Sequence, residues 1–219
     1  MLKAVIFDMD GVIVNSEPLH HKAYLHMFAD FNLNVPNKLY ESFTGKSTLT
    51  ICKELCELFK LKNNPTDLVK SKRKHFKFIF ENDTSFKMIK GARELIEDYF
   101  SNNLKLILAS SASMSTINRV FKKFDLDNFF TAKISGADLK ESKPDPEIFL
   151  KAVKISGFSK KECIVIEDST NGIIAANSAE IFCIGYKSEN SKNQDYSLAD
   201  LVISDFTQIS WKNISKKFK

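Results

Sequence analysis

Short, continuous apolar runs recur along the chain, separated by longer segments whose apolar residues follow helical spacing. Strands of a parallel sheet that is covered on both faces show this continuous hydrophobicity, instead of alternating apolar and polar positions. The pattern predicts five strands and a weaker sixth. The strong runs are Ala4–Phe7, Leu104–Ala109, Ile164–Ile166, Ile181–Ile184 and Leu201–Ile203, and the weaker run is Thr131–Ser135.

Between the strands, apolar residues recur every three or four positions, as they do on the buried face of a helix. The clearest sets are Ala92, Leu95, Ile96 and Tyr99, then Ile117, Val120, Phe121 and Phe124, then Ile148, Phe149, Ala152 and Val153. Strands that alternate with such helices imply right-handed crossover connections. The predicted fold class is therefore α/β, with a doubly wound, mainly parallel, Rossmann-like sheet.

One long segment after the first strand interrupts this alternation. From about residue 16 to residue 86 the periodicity is helical throughout, with Asn34–Asn37 and Asn63–Pro65 as turn signals. One stripe is Ile51, Leu55 and Leu58; a second is Leu68, Lys72, Phe76, Ile79 and Phe80, with Lys72 as its polar exception. We predict a small α-helical cap domain at 16–86, inserted into an α/β core formed by 1–15 and 87–219.

Composition excludes several protein classes. The 219 residues are 43% hydrophobic and 27% charged, which is typical of globular proteins and unlike disordered or fibrous ones. No apolar run approaches the roughly 20 residues that cross a bilayer. Acidic residues follow closely on the first apolar ones, unlike a signal peptide. We expect a soluble, cytoplasmic protein without a membrane partner.

The formal net charge is +5, and its excess is nearly all lysine. A basic cluster can bind nucleic acid, because neutralised phosphates release counterions. The alternative, a solvated helix face and a soluble tail, is favoured because no interleaved arginine or known binding module accompanies the cluster. We therefore expect no nucleic-acid partner. The basic residues are Lys70, Lys72, Arg73, Lys74 and Lys77, and in the tail Lys212, Lys216, Lys217 and Lys219.

Polar residues capable of chemistry gather just after the predicted strands. In open α/β sheets, ligands bind beyond the carboxyl ends of the strands, so these residues are expected to converge at one edge. They are Asp8 and Asp10, Ser110 and Ser111, Lys143 in a loop before a helix, and Glu167 and Asp168.

Four carboxylates at one sheet edge require a counter-charge. Mg²⁺ is a suitable cation, since it is hard, prefers oxygen ligands and commonly shares its shell with phosphate. Two unit charges about 4 Å apart repel by roughly 4 kcal/mol at an effective dielectric constant near 20. A phosphate dianion near Asp8 would face about twice that, so a metal ion and Lys143 would be needed to admit it.

Four motifs resemble the haloacid dehalogenase superfamily, and in particular its β-phosphoglucomutase-like branch, which carries a helical cap inserted after the first motif. They occur in the family's order and span nearly the whole chain. The motifs are FDMDGVIVNSEPLHH at 7–21, LILASSAS at 106–113, ESKPDPEIF at 141–149 and VIEDSTNG at 165–172.

The resemblance implies a role for each matching residue. Asp8 would be the nucleophile that forms an aspartyl-phosphate, and Asp10 the general acid and then the base that activates water. Ser110, Ser111 and Lys143 would bind the phosphoryl group. Mg²⁺ would be held by Asp8, Asp168 and Asp10, the last through its backbone carbonyl, with Glu167 close by. His20 and Lys46 are possible cap residues facing the substrate.

The resemblance leaves the reaction type open. A mutase needs cationic groups on its cap to hold a second phosphate, and the corresponding positions here are Thr44, Thr48 and Ser113, with Lys46 nearby. We therefore favour a monomeric, Mg²⁺-dependent phosphatase acting on a small phosphorylated metabolite such as a sugar phosphate. The alternatives are a phosphohexose mutase of the β-phosphoglucomutase type and a catalytically idle binder of phosphorylated ligands.

Overall fold

All six strands form in the computed structural model, which describes residues 1–43, 46–187 and 193–218. Every pairing is parallel, and the strand order is β3-β2-β1-β4-β5-β6. The predicted fold class is confirmed, with strand ends shifted by one or two residues in four of the strands. The strands are β1 (Ala4–Phe7), β2 (Lys105–Ser110), β3 (Phe130–Ser135), β4 (Cys163–Glu167), β5 (Phe182–Tyr186) and β6 (Leu201–Ile203).

Helices cover both faces of this sheet, and residues of β1 alternate between two hydrophobic clusters. Val5 and Phe7 belong to one cluster, whereas Ala4 and Ile6 belong to the other. Within the described residues, no helix has the length and apolar character needed to cross a membrane. The helices are α1 (Glu17–Asp30), α2 (Asn37–Glu41), α3 (Thr48–Leu58), α4 (Pro65–Asn82), α5 (Ala92–Ser101), α6 (Met114–Lys123), α7 (Glu147–Ser156), α8 (Thr170–Ser178) and α9 (Trp211–Ile214).

Helices α1–α4 all lie within the segment that the sequence predicts as a cap. Helix α4 begins where Asn64 Oδ1 accepts a hydrogen bond from Thr66 N at 3.0 Å, with Pro65 in the first turn, where a missing N–H costs nothing. Its first half adds Leu68 to a separate cluster inside the cap, and its second half adds Phe76 to a cluster of the core. Helix α4 therefore joins the two packing units.

The chain enters and leaves this helical segment at adjacent points. Val14 forms an antiparallel bridge with Met88, and Asn15 N donates to Lys87 O at 3.2 Å. The first connection starts at the carboxyl end of β1, because Val14 follows the turn that begins at Asp8. The bridge between Val14 and Met88 brings the second connection to the same end of the strand. The helices are thus held above the edge of the sheet where the polar residues were expected to converge.

Candidate active site

A cavity of about 110 Å³ lies between the carboxyl ends of the strands and the helices α1–α4. This volume is smaller than the roughly 300–1,000 Å³ of most pockets that bind small molecules. The sheet side is lined by Asp8, Asp10, Gly11, Ser111, Ala112, Glu167, Asp168 and Ser169. The cap side is lined by Ser16, Glu17, His20, Tyr24, Tyr40, Phe43, Lys46, Thr48, Ile51 and Lys72.

Asp8, at the end of β1, is bound to a buried lysine. Lys143 Nζ lies 2.5 Å from Asp8 Oδ1 and 2.7 Å from Glu167 Oε1, and it also donates to Ala109 O at 3.0 Å. An ammonium group has three N–H donors, so all of them are engaged. Lys143 is only 2% exposed, and it is not among the residues that line the cavity, although its partners Asp8 and Glu167 are. Its ammonium therefore fixes the position of the Asp8 carboxylate.

In the group formed by Lys143, Asp8 and Glu167, two carboxylates share one cation, and this sharing determines the direction of the pKa shifts. Burial raises the pKa of Asp8, and the negative charges of Glu167 and Asp10 raise it further, against the opposing effect of Lys143. Burial would lower the pKa of Lys143, but the charges of Asp8 and Glu167 outweigh burial and raise it. The lysine is therefore firmly protonated, and the site carries an excess of negative charge.

Glu167 is held in place by the start of α8. Its Oε2 accepts from Asp168 N and Ser169 N at 2.8 Å each and from Ser169 Oγ at 2.9 Å. Gly172 allows this packing, since a Cβ there would stand 1.9 Å from the Glu167 carboxyl carbon. Both oxygens of Glu167 are thus committed, one to Lys143 and the other to α8.

Asp10 lies two residues beyond Asp8 and turns toward the cap. Ser16 Oγ donates a short hydrogen bond to its Oδ1, and His20 Nε2 lies 3.3 Å from the same oxygen. Ser110 Oγ donates to its Oδ2 at 3.4 Å. Burial would raise the pKa of Asp10, but the hydrogen bonds from His20 and Ser16 outweigh it and lower the pKa. The Asp10 side chain remains 27% exposed, enough to meet a ligand.

A buried lysine of the cap extends this network. Lys72 Nζ donates to His20 Nδ1 at 2.8 Å, so His20 carries its proton on Nε2 and donates it to Asp10. The Lys72 ammonium also lies 5.0 Å from the Tyr24 ring centre and 4.9 Å from that of Phe76. Burial lowers the pKa of Lys72 to about 8. A chain of hydrogen bonds thus runs from the cap to Asp10.

This placement corrects one sequence interpretation. Lys72 was grouped with the exposed basic residues of α4, but it is 4% exposed and faces the cavity. The other four members, Lys70, Arg73, Lys74 and Lys77, lie on the solvent side of the helix. A lysine within an otherwise apolar stripe was the signal of a buried functional cation. The helical spacing places Lys72 at a buried position of the stripe, and the structure follows this spacing although the neighbouring basic residues are exposed.

The remaining carboxylate, Asp168, lies against the turn that follows β1. Gly11 has φ +88°, and a Cβ there would come within 2.0 Å of Asp168 Oδ2. This close approach brings the Asp168 carboxylate to the backbone between Asp8 and Gly11. No group of three His, Cys, Asp or Glu side chains in the described ranges forms a metal site on its own. Two carboxylates with backbone carbonyls, at a site with excess negative charge, nevertheless suit a hard divalent cation such as Mg²⁺.

The other predicted residues divide between the cavity and its surroundings. Ser111 lines the cavity, whereas Ser110 is fully buried beneath it and accepts from Ala112 N at 3.1 Å. Lys46 lines the cavity too, but Glu54 holds its ammonium at 2.8 and 2.9 Å. Ser113 begins α6 and is absent from the cavity wall. Thr44 and the tail residue Lys219 lie outside the described residues.

Besides the role of Lys72, sequence reasoning missed Ser16, Glu17 and Tyr40 among the residues that line the cavity. Ser16 and Glu17 stand within the first motif, so their position next to Asp10 and His20 was a usable signal. Tyr40 was not identifiable, since it reaches the cavity only through the packing of α2 against α1. It donates a hydrogen bond to Glu17 Oε1 at 2.7 Å.

Comparisons with known proteins identify sequences and folds similar to this chain. Residues 5–186 match a family model described as haloacid dehalogenase-like hydrolase. A phosphorylated carbohydrates phosphatase of Thermotoga maritima is 31% identical over 180 residues, 82% of each chain. Hexitol phosphatase B of Escherichia coli K12 is 27% identical over 212 residues, 96% of each chain. The crystal structure of β-phosphoglucomutase from Clostridium difficile aligns with a TM-score of 0.87 at 28% identity, covering 100% of this chain and 97% of that one.

Proposed function

We propose a phosphatase function from one premise: the chain belongs to the haloacid dehalogenase-like hydrolase family. The proposed reaction is the Mg²⁺-dependent hydrolysis of a small phosphate monoester, with a phosphorylated sugar or sugar alcohol as substrate. The observation that carries it is the pairing of two differently held carboxylates in one cavity. Asp8 is fixed from behind by Lys143, and Asp10 is held from the cap by Ser16 and His20.

The two carboxylates divide the chemistry between them. An oxygen of Asp8 attacks phosphorus, forming an Asp8–phosphate bond while the bond from phosphorus to the ester oxygen breaks. Asp10 is ionised in the empty cavity because its pKa is lowered, and the approach of a phosphate dianion raises that pKa so that Asp10 takes up a proton. Asp10 then gives this proton to the departing oxygen and later takes one from the water that cleaves the acyl phosphate. Lys143 keeps the Asp8 oxygen aimed, and the Lys72–His20 chain orients Asp10.

Asp8, Asp168 and the Asp10 carbonyl are the oxygen donors that we propose to hold Mg²⁺. When bound, the ion supplies positive charge that neutralises the transferring phosphoryl group and the carboxylates around it. Ser111 and Ala112 line the cavity beside Asp8, where phosphoryl oxygens would lie. The buried Ser110 hydroxyl accepts a hydrogen bond from Ala112 N and so fixes the backbone that carries Ser111 and Ala112.

The cap favours hydrolysis over a mutase reaction. A mutase must hold a second phosphate with cationic groups, and Lys46 is the cap cation nearest the loop expected to do so. Its ammonium is neutralised by both oxygens of Glu54, and the neighbouring Thr48 is uncharged. Mutase activity is the second candidate, supported by the similarity to a β-phosphoglucomutase structure over the full chain.

The products distinguish the two candidates. With β-glucose 1-phosphate, Mg²⁺ and a trace of glucose 1,6-bisphosphate, we expect free phosphate to exceed glucose 6-phosphate, as it would with hexitol phosphates and other hexose phosphates. Both products are followed in the same reaction by coupled assays. Rapid glucose 6-phosphate formation with little free phosphate would establish the mutase. No product from any phosphate ester would contradict the proposed function.

Replacing Lys72 by Met tests whether the buried lysine serves catalysis at the expense of stability. A lysine whose pKa falls from 10.5 to about 8 on folding disfavours the folded state by up to about 3 kcal/mol at neutral pH. The cost is full below pH 8 and vanishes as the pH rises toward 10.5. We expect Lys72→Met to raise the free energy of unfolding by up to about that amount at pH 7 and to lower kcat about 10- to 100-fold.

The matched control is Lys74→Met, which changes an exposed lysine two residues away on the same helix. Urea unfolding at pH 7 and pH 10, with phosphate release at pH 7, checks the prediction. A less stable Lys72→Met protein with an unchanged rate would show that Lys72 is a structural residue only.

A further inference from the structure

The proposed metal ligand Asp168 is contacted by a part of the chain that the proposed chemistry does not use, the segment of residues 193–196. Tyr196 Oη, from 28 residues further along the chain, donates a hydrogen bond to the backbone oxygen of Asp168 at 3.0 Å. The backbone nitrogen of Asp168 donates to Glu167 Oε2 at 2.8 Å. The peptide groups on both sides of Asp168 are therefore each held by a side chain.

The same segment fixes the first turn of α8, which begins two residues after Asp168. The N–H groups in the first turn of a helix have no partner within the helix. Thr170 N donates to Gln194 Oε1 at 2.8 Å, and Thr170 Oγ1 accepts from Asp195 N at 2.8 Å. Because these two hydrogen bonds are reciprocal, the backbone from Asp168 to Thr170 cannot shift without breaking a contact with the 193–196 segment.

A glycine on β5 provides the space for the Tyr196 ring. Gly185 lies beside Glu167 of β4 in the register of the sheet. A Cβ at Gly185 would stand 2.8 Å from Tyr196 Cδ1, which is closer than packed carbon atoms approach. The Tyr196 ring packs against the hydrophobic cluster on that face of the sheet, while its hydroxyl reaches the Asp168 backbone. A side chain at position 185 would therefore displace the ring and the hydroxyl with it.

The position of Asp168 matters because Mg²⁺ tolerates little variation in its ligand geometry, with ligand distances of roughly 2.0–2.1 Å. The Asp168 carboxylate lies so close to the turn after β1 that a Cβ at Gly11 would come within 2.0 Å of its Oδ2. A shift of the Asp168 backbone would change the distance from this carboxylate to the other proposed donors, Asp8 and the Asp10 carbonyl. Residues that hold a metal ligand in place commonly change metal affinity about 10- to 100-fold when they are replaced.

We infer that Tyr196 is a positioning residue for the metal site. Its hydroxyl holds the Asp168 backbone where the carboxylate can meet the ion, and the rest of the 193–196 segment supports this hold through Thr170. The segment thus sets the affinity for Mg²⁺, and the chemical step stays with Asp8 and Asp10. This inference rests on the proposed function, whose Mg²⁺ site it extends to a distant part of the chain.

The test compares wild-type protein with Tyr196→Phe, which removes the hydroxyl and keeps the ring. The dissociation constant of Mg²⁺, measured by titrating the melting temperature with the metal, should rise about 10-fold. The Mg²⁺ concentration for half-maximal phosphate release from p-nitrophenyl phosphate should rise by the same factor, with kcat at saturating Mg²⁺ close to that of wild type. The matched control is Tyr99→Phe, which also removes a hydroxyl that donates to a backbone oxygen, that of Ile209 at 2.6 Å, but does not line the cavity.

Gly185→Ala displaces the Tyr196 ring without removing its hydroxyl, so it keeps the test decisive even if Tyr196→Phe folds poorly. Its Mg²⁺ dissociation constant should rise as well, whereas that of Tyr99→Phe should not change. Wild-type Mg²⁺ affinity in Tyr196→Phe, or a loss of kcat that saturating Mg²⁺ does not restore, would overturn the inference while leaving the phosphatase intact. Wild-type protein that neither responds to Mg²⁺ nor releases phosphate from any ester would instead overturn the proposed function.

Discussion

Asp8→Asn is expected to lower phosphate release at least about 10⁴-fold, because an amide oxygen does not replace a carboxylate as nucleophile. The change is nearly isosteric, and the carbonyl of the introduced amide can still accept the hydrogen bond from Lys143. Lys143 also keeps its pairing with Glu167. The effect should therefore be on kcat alone.

The same substitution should leave the protein about as stable as wild type. Burial and neighbouring carboxylates raise the pKa of Asp8, which means that folding disfavours its charged form. Removing that charge removes this unfavourable contribution but also the attraction that raises the pKa of Lys143, so we expect a melting temperature close to that of wild type. The control is Asp127→Asn, which changes an exposed aspartate paired with Lys133 and should keep full activity. More than about a hundredth of wild-type activity in Asp8→Asn would contradict the covalent mechanism.

Removal of divalent metal is expected to have the second largest effect, a loss of at least about 10³-fold in excess EDTA that added Mg²⁺ reverses. The structural reason is the excess negative charge at the strand ends. Asp8, Glu167 and Asp168 are all buried, and Lys143 is the cation bound to the first two. A phosphate approaching Asp8 without a further cation would be repelled by several kcal/mol.

A readout independent of activity separates metal binding from other effects of EDTA. Because the proposed Mg²⁺ site exists only in the folded protein, a Mg²⁺ concentration 100 times the dissociation constant should stabilise the protein by about 2.7 kcal/mol, measured as a rise in melting temperature. Asp168→Asn should lose this response, and Asp127→Asn should keep it. Full activity in EDTA, or the same thermal response in Asp168→Asn and wild type, would contradict the metal proposal.

The sequence predicted the sheet and the residues at its edge well, because both depend on local signals. Continuous apolar runs identified every strand, and the carboxyl-end rule for parallel sheets brought Asp8, Asp10, Glu167 and Asp168 to one place. The contacts of Lys143 were harder to predict from the sequence. Its motif position indicated the site, but only the fold shows that its three donors are all engaged below Asp8.

Apart from His20 and Lys46, which line the cavity as predicted, cap residues could not be assigned because their position depends on packing between helices. Lys72 reaches His20 from 52 residues away, and Tyr40 reaches Glu17 from 23 residues away. Periodicity shows which face of a helix is buried, but not whether that face meets a neighbour or borders a cavity. The boundaries at residues 16 and 86 stay a prediction, since Phe76 and Phe80 of the helical segment pack within the core cluster.

The adjacent entry and exit points at Val14 and Met88 have an evolutionary consequence. An insert anchored at neighbouring positions can be exchanged for another of different length without altering the spacing of the strands beneath it. Here, however, the insert also supplies Ser16 and His20, which contact Asp10, and Lys72, which contacts His20. A chimaera that receives a foreign cap should therefore gain a new substrate range only if the donor segment brings equivalent groups. Diversification of this scaffold is thus constrained at three positions and free at the others that line the cap wall.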